Sequence, residues 1–331
     1  MTNVIDALVA SPDDGAGNRP GTPRTRMPET RKLRSMAMPI AHLNDIDIWY
    51  ETYGSGFPLV FCHGGFGGLG SEATVNAPAW VAEFAEHFQV TLPDRRSSRR
   101  SGFSDAAHSM ELLANDTLEV LHHLGHERAH IWGNSAGGPI AIQFALMYPE
   151  ATQTLMAVET SPKFWNADIE SDRDLLERLR ERLRILDTEG EDAAYAARRT
   201  SGNVGFQAFR ASRPLVGESD AARREARREA LAAQLEGIPR EERVTKYAGE
   251  LRTYSAFVDW SARERFRQLT MPVLIPYSLD DTQVPNARWD ELTAGMPNVT
   301  YLPVRGVDHG GTMTVPGVKD RMLAFLVEHT P

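Results

Sequence analysis

The sequence predicts an α/β protein in which a mostly parallel, eight-stranded sheet is flanked by helices and interrupted by an all-helical insertion. Short apolar runs alternate with segments of helical periodicity, and this alternation is typical of a parallel sheet with both faces covered. A second observation is a strongly charged stretch without strand signals, from about residue 163 to residue 262. The third is a Gly-x-Ser-x-Gly motif at 133–137 between an apolar run and a helical run, which predicts a sharp strand-to-helix turn.

The first 38 residues differ in composition from the rest of the chain. They are rich in Gly, Pro, Thr and Asp and then become basic. They lack the apolar segment of roughly 7 to 15 residues that a secretory signal needs. We expect residues 1–38 to form a disordered tail. Binding of this basic arm to an anionic partner is the alternative.

The remaining elements follow in order from their periodicity. Residues 42–53 carry apolar side chains on both sides of Asn44-Asp45 and predict a hairpin at the edge of the sheet. Helical spacing predicts one helix over 110–124, ended by Gly125, and another that follows the serine motif and stops at Pro149. Six further apolar runs predict strands at 58–62, 88–92, 129–132, 155–158, 273–277 and 299–304.

The strand-free stretch divides the predicted fold into two parts. Residues 39–162 and 263–331 form the sheet and its helices, and residues 163–262 form a helical cap. Parallel α/β sheets bind ligands at the carboxyl ends of their strands. An insertion between two such strands lies over those ends, so we expect the cap to shape the pocket.

Composition disfavours several classes of function. The 331 residues carry a formal net charge of −9, which argues against a nucleic-acid partner, because such proteins present a clustered basic face. Cys62 is the single cysteine, so an internal disulfide is excluded and a cytoplasmic location is the default. No apolar run approaches the roughly 18 residues of a membrane span. The expected partner is a small-molecule substrate, and a homodimer is left open.

The motif Gly133-Asn134-Ser135-Ala136-Gly137 displays a serine hydroxyl above the sheet. A serine hydroxyl is a poor nucleophile until a base removes its proton, and that base needs a carboxylate to orient it. His309 follows the last predicted strand, and Asp281 follows the strand before it. Asp280 and Glu159, the latter just after the strand at 155–158, are the alternative acids.

Together with the residues after the first parallel strand, these motifs resemble the α/β-hydrolase-fold serine hydrolases that carry a helical cap. The resemblance covers about residues 41–331. It rests on His63-Gly64-Gly65, the serine motif with Gly138, Asp281-x-x-Val284-Pro285 and Asp308-His309. It implies that Ser135 is the nucleophile, His309 the base and Asp281 the orienting acid. It also implies that the N–H groups of Gly65 and Ala136 hold the oxyanion of the tetrahedral intermediate.

The chain departs from the family pattern at two places. Asp308 stands where the family usually has a glycine before the histidine, and we expect Asp308 to be a turn residue. Ser97, Ser98 and Arg99 replace the small glycines that usually follow the third core strand. Nearby arginines either bind a substrate carboxylate or pair with Asp94 and Asp105; they are Arg95, Arg96, Arg99 and Arg100.

Aromatic residues near the predicted cleft favour an apolar or aromatic substrate. The residues expected to line the pocket are Phe66, Trp132, Phe164, Trp165 and Trp260. No metal site is predicted, because Gly125 separates the neighbouring histidines 122 and 123 from His126 and no carboxylate completes a ligand set. The predicted chemistry requires no cofactor.

The sequence favours hydrolysis of a carboxylic ester or a lactone through an acyl-enzyme intermediate. Two reactions of the same machinery are alternatives: hydrolysis of a carbon-carbon bond in a meta-cleavage-type substrate, and cofactor-free perhydrolysis. The segment after His309 lacks the tryptophan that the carbon-carbon hydrolases usually have. The non-enzymatic alternative is a ligand receptor that keeps the fold without turnover.

Overall fold

The computed structural model describes residues 40–68, 80–198, 237–284 and 287–331. The predicted tail at 1–38 lies outside the described residues. Within them, the chain forms one eight-stranded sheet in the order β1-β2-β4-β3-β5-β6-β7-β8. The strands are β1 (Ile40–Leu43), β2 (Ile46–Tyr53), β3 (Phe57–Cys62), β4 (Phe88–Pro93), β5 (Ala129–Asn134), β6 (Thr152–Val158), β7 (Val273–Ser278) and β8 (Val299–Val304).

The sheet is parallel except at one edge. β1 pairs antiparallel with β2 and β2 antiparallel with β4, whereas the pairings among β3 to β8 are parallel. Asn44 and Asp45 connect β1 to β2 with φ angles of 47° and 61°, and tight two-residue hairpin turns use this left-handed conformation. The structure therefore confirms the predicted edge hairpin and the six further strands.

Helices cover both faces of this sheet. α2 begins where the Ser109 hydroxyl accepts a hydrogen bond from the N–H of Leu112 at 3.1 Å, an N-cap arrangement. α3 follows the serine motif as predicted. The α-helices of the described residues are α1 (Val81–Ala85), α2 (Met110–His123), α3 (Gly137–Met147), α4 (Glu170–Glu189), α5 (Glu191–Ala197), α6 (Arg240–Val258), α7 (Trp289–Thr293) and α8 (Val318–Glu328).

The sheet separates two apolar cores. Ile131 packs in the core that includes residues of α2 and α3, whereas Trp132 packs in the core that includes residues of α1 and α8. Successive side chains of a strand point to opposite faces, so both residues are fully buried. The Trp132 ring lies 4.3 Å from the ring of Trp80 and 5.1 Å from that of Phe84. The prediction that Trp132 lines the substrate pocket is therefore wrong, because this residue belongs to the core.

The described residues between β6 and β7 form helices rather than strands. α4, α5 and α6 pack on one another and bury Leu179, Ala194 and Leu251. The N–H of Ala262 donates to the carbonyl of Pro162 at 2.8 Å, so the two ends of this stretch meet. The cap boundaries at 162/163 and 262/263 stay a prediction. Among the described helices, none is both long and apolar enough to cross a membrane.

Candidate active site

Ser135 lies at the turn between β5 and α3. Its φ angle is 51°, a left-handed conformation that costs a non-glycine residue roughly 1–2 kcal/mol. The Ser135 N–H donates to the Val158 carbonyl at 3.0 Å, and the Thr160 hydroxyl donates to the Ser135 carbonyl at 2.7 Å. These two hydrogen bonds hold the strained turn against the end of β6.

The glycines around Ser135 are required by close packing. A Cβ on Gly133 would lie 2.6 Å from the Gly137 carbonyl oxygen, and a Cβ on Gly137 would lie 1.9 Å from the Cys62 carbonyl oxygen. A Cβ on Gly138 would lie 2.1 Å from Thr160 Oγ1. The first turn of α3 therefore approaches β3, β5 and the end of β6 more closely than any side chain allows.

Side chains that follow β5, β7 and β8 form a continuous hydrogen-bonded chain. His309 Nε2 lies 2.8 Å from Ser135 Oγ, and His309 Nδ1 lies 2.7 Å from Asp281 Oδ2. The side chains of His309 and Asp281 are only 8% and 0% exposed. With its proton on Nδ1, His309 donates to Asp281 and accepts from the Ser135 hydroxyl. This arrangement can transfer the serine proton to the imidazole while the carboxylate holds the ring.

The two alternative acids bind backbone amides instead of His309. Glu159 is buried at the end of β6, where its Oε1 accepts from the Thr312 N–H at 2.7 Å. Asp280 is more exposed, and its Oδ2 accepts from the Gly306 N–H at 2.7 Å. Of the three candidates, Asp281 is the one that the structure brings to the imidazole. Its second oxygen accepts from the N–H groups of Gln283 and Val284, both at 2.8 Å.

Asp308 joins the loop that carries His309 to the loop that carries Asp281. Its Oδ1 accepts from the N–H and the hydroxyl of Thr282, both at 2.9 Å, and from the His309 N–H at 2.8 Å. Burial raises the pKa of Asp308, but these hydrogen bonds outweigh burial and bring the pKa below its ordinary value. The sequence predicts Asp308 only as a turn residue, whereas in the structure it also links the two loops that carry His309 and Asp281.

The His63-Gly64-Gly65 loop lies directly beside Ser135. A Cβ on Gly64 would be 3.1 Å from Ser135 Cβ and 3.7 Å from Ser135 Oγ. Gly65 has a φ angle of 74°. Within the described residues, no backbone hydrogen bond outside helices and strands uses the N–H of Gly65 or Ala136. Both amides are therefore available as donors.

A family model described as the alpha/beta hydrolase fold matches residues 58–314. The chain belongs to the α/β-hydrolase-fold family. A RutD protein of Azorhizobium caulinodans, whose name proposes carbamate hydrolysis, is 28% identical over 286 residues, which are 86% of this chain and 97% of the relative. A pimeloyl-[acyl-carrier protein] methyl ester esterase of Klebsiella pneumoniae is 37% identical over 127 residues, 37% of this chain and 44% of the esterase.

A solved structure gives the same fold at lower identity. The enol-lactonase of Burkholderia xenovorans superimposes with a TM-score of 0.59 and 19% identity, covering 88% of this chain and 99% of the lactonase. At that identity the likeness shows the α/β-hydrolase fold alone.

The four arginines of the turn after β4 are held within the protein. Arg99 and Arg100 pair with Asp94 at 3.2 and 2.7 Å, and Arg96 pairs with Asp116. The predicted partner Asp105 is not used by these four arginines, and Arg95 binds backbone carbonyls instead. Ser97 and Arg99 have φ angles of 55° and 51°, so this turn keeps a backbone conformation that glycine adopts more easily.

Phe66 lies at the centre of an aromatic cluster that connects the His63-Gly64-Gly65 loop to the helical insertion. Its ring stacks on Tyr254 with centroids 4.3 Å apart and on Trp165 at 5.4 Å. Phe257 and Phe164 contact the same ring edge-on at 4.9 and 5.6 Å. The structure thus brings together three of the predicted pocket residues, and α6 adds Tyr254 and Phe257.

Trp260 and the neighbouring histidines make other contacts. The Trp260 Nε1–H donates to Gln143 on α3 at 2.9 Å, so its place in the pocket stays a prediction. His123 Nε2 lies 3.2 Å from the Tyr50 hydroxyl, and His126 Nε2 lies 2.7 Å from Gln89 Oε1. The described part of the chain contains no cluster of three His, Cys, Asp or Glu side chains that could hold a metal ion.

Sequence reasoning missed how His63 and Arg95 hold the loop beside Ser135. The available signal was four arginines close to only two nearby carboxylates, which left at least one guanidinium to find a partner other than an acid. The substitution of aspartate for the usual glycine at position 308 was the corresponding signal for the link to Thr282.

Proposed function

We propose that this protein hydrolyses a carboxylic ester or a lactone of a small apolar or aromatic substrate, with Ser135 as the nucleophile. The observation that carries this proposal is the hydrogen-bonded chain from Ser135 Oγ through His309 to Asp281. Both ends of the imidazole are engaged, one by the hydroxyl that it would deprotonate and the other by a buried carboxylate.

The reaction has two halves. Ser135 Oγ attacks the carbonyl carbon while its proton moves to His309 Nε2, and the N–H groups of Gly65 and Ala136 hold the oxyanion. Collapse of the tetrahedral intermediate breaks the carbon–oxygen bond, and His309 gives its proton to the leaving alkoxide. A water molecule then attacks the acyl-enzyme with His309 as the base, and the acid is released with Ser135 restored.

Phe66 directly follows the proposed oxyanion donor Gly65. The buried aromatic cluster around its ring makes the surroundings of that donor apolar and so supports an apolar or aromatic substrate. The names of the relatives support an ester or lactone, and that of RutD adds a carbamate. A substrate panel should therefore contain p-nitrophenyl esters of short and aromatic acids, simple lactones and a phenyl carbamate.

The decisive experiment combines labelling with kinetics on the purified full chain. A fluorophosphonate probe should modify Ser135 in the wild type, and Ser135→Ala should lower kcat/KM by about 10⁴-fold or more without unfolding the protein. Ser161→Ala is the matched control, because Ser161 is also buried and its hydroxyl bonds only locally, to the Lys163 carbonyl at 2.7 Å. Full activity in Ser135→Ala would remove Ser135 from the mechanism.

The same experiment also tests the alternative functions. Turnover of a ring-cleavage dienoate but not of esters would favour carbon-carbon hydrolysis, and peroxide-dependent activity alone would favour perhydrolysis. Tight binding of a ligand with neither turnover nor a fluorophosphonate adduct would favour a receptor.

A further inference from the structure

Arg95 is a buried cation without a carboxylate partner. Arg95 is 8% exposed. The neighbouring arginines at 96, 99 and 100 all form ion pairs. Within the described residues, the Arg95 guanidinium forms no ion pair with a carboxylate. Burying a guanidinium is costly unless hydrogen bonds compensate, so the groups that Arg95 does bind explain why it is there.

The guanidinium of Arg95 binds the loop beside Ser135 at two carbonyls. Nη1–H donates to the His63 carbonyl at 3.2 Å, and Nη2–H donates to the Gly65 carbonyl at short distance. Arg95, His63 and Asp94 also help to line a cavity of about 30 Å³. The guanidinium therefore ties together two carbonyls of the loop beside Ser135.

Arg95 also acts on the loop through the imidazole of His63. The Arg95 backbone N–H donates to His63 Nε2 at 3.2 Å, so the ring proton lies on Nδ1, which donates to the Gly64 carbonyl at 2.8 Å. Burial, and then the positive charge of Arg95, lower the pKa of His63 to about 3. The ring is therefore neutral and keeps this donor-acceptor order at neutral pH.

The peptide between Gly64 and Gly65 connects this network to the proposed chemistry. Its carbonyl is held by His63, and its N–H is the proposed oxyanion donor of Gly65. In a trans peptide the C=O and N–H point in opposite directions. Because His63 holds the Gly64 carbonyl and Arg95 holds the carbonyls of His63 and Gly65, this network fixes the orientation of the Gly65 N–H.

We propose that Arg95 is a positioning residue for the oxyanion hole: its guanidinium and its backbone N–H, through His63, fix the orientation of the peptide that donates to the oxyanion. The proposal rests on the proposed serine-hydrolase function. It assigns Arg95 to transition-state binding and not to recognition of a substrate carboxylate. Substrate affinity should therefore depend little on this residue.

The test compares Arg95→Met with Arg100→Met, which removes an arginine of the same turn that binds carboxylates. Wild type and both variants are assayed on p-nitrophenyl acetate, with circular dichroism and Tm to verify folding. Inhibition by an aryl trifluoromethyl ketone, which forms a tetrahedral adduct on a nucleophilic serine, reports on the oxyanion hole directly. Arg95→Lys is the second variant, because it keeps a cation but lacks the planar guanidinium fork whose two nitrogens donate to the two carbonyls.

We expect Arg95→Met to lower kcat about 10- to 100-fold, a smaller loss than removal of an oxyanion donor causes. KM should stay within about 3-fold of the wild-type value. Trifluoromethyl ketone affinity should fall in parallel, and Arg95→Lys should give a smaller loss. Arg100→Met should change kcat and inhibition by less than about 3-fold.

An unchanged kcat in folded Arg95→Met would overturn the proposal. If Arg95→Met does not fold, full kcat and full inhibitor affinity in Arg95→Lys would overturn it. If the wild type has neither esterase activity nor a fluorophosphonate adduct, the proposed function itself fails.

Discussion

The loops on the two sides of Ser135 are held by opposite kinds of side chain. On the side of β7 and β8, the carboxylates of Asp280, Asp281 and Asp308 accept hydrogen bonds from backbone N–H groups. On the side of β3, the guanidinium of Arg95 and the imidazole of His63 donate to backbone carbonyls. On the β3 side, the N–H of Gly65 takes part in no backbone hydrogen bond outside helices and strands of the described residues.

This difference matches the chemistry proposed for each side. On the carboxylate side, Asp281 lies 2.7 Å from His309 Nδ1 and can hold the imidazole while it accepts the serine proton. Donors that occupy carbonyls leave the N–H of Gly65 unused, which suits an oxyanion. The orientation of the backbone groups in the site therefore depends on the side chains that bind the loops as much as on the side chains that face the substrate.

The largest expected effect is on the carboxylate side, at Asp281. Asp281→Asn should lower kcat about 10³- to 10⁴-fold, because an amide can no longer stabilise the imidazolium or fix its tautomer. Glu159→Gln and Asp280→Asn are the matched controls, since both carboxylates bind backbone N–H groups that an amide oxygen can still reach. Steady-state kinetics of the three variants would decide the acid. A greater loss in Glu159→Gln than in Asp281→Asn would transfer that role to Glu159.

The next effect is a loss of folding stability at acid pH, which we expect from buried neutral histidines. Burial lowers the pKa of His63, His108 and His130 to about 3, below the value near 6.5 of an unfolded chain. Above pH 6.5 neither state holds the extra proton, whereas between 6.5 and 3 only the unfolded state binds it. The free energy of unfolding should therefore fall by up to about 1.4 kcal/mol per pH unit for each histidine as pH drops below 6.5. Urea unfolding at pH 7 and pH 5 measures this loss.

Histidine variants separate this acid effect from the effect on the oxyanion loop. His130 lies far along β5 from the loop, with Thr154 and Thr330 at 2.8 and 3.1 Å. His130→Gln should reduce the pH dependence and leave kcat unchanged, whereas His63→Gln should reduce both. Equal pH dependence in the wild type and His130→Gln would refute the assignment of the loss to buried neutral histidines.

The smallest effect is expected at Asp308. Asp308→Ala should lower kcat about 10-fold by releasing Thr282, the residue next to Asp281, from the loop that carries His309. Asp308→Asn should lose less, because its side-chain oxygen can still accept from the Thr282 N–H. Kinetics with KM and kcat separated test this order. An Asn variant as impaired as the Ala variant would show that charge, and not the link between the loops, is what matters.

Sequence patterns predicted the sheet well because each strand is a short apolar run between turn residues. They could not distinguish Ile131 from Trp132, since a parallel strand buried on both faces has no alternation that separates one face from the other. The position of Trp132 directly before the serine motif favours the pocket, although the structure places it against Trp80 in the core.

The site was predictable as a set of motifs but not as a set of contacts. Asp280 and Asp281 are adjacent in the chain, and only the local turn decides which carboxylate meets His309. Asp308 binds Thr282, and Arg95 binds His63, across long separations in sequence. Contacts of this kind depend on which strands become neighbours, and no local pattern contains that information.

The hydrogen bond between Ala262 and Pro162 has a practical consequence for protein engineering. Residues 162 and 262 meet at this hydrogen bond, so a foreign segment with closely spaced ends can replace the residues between them. Chimaeras built at this junction would exchange the predicted helical cap and keep the Ser135 turn, and their substrate preference would show whether the cap shapes the pocket.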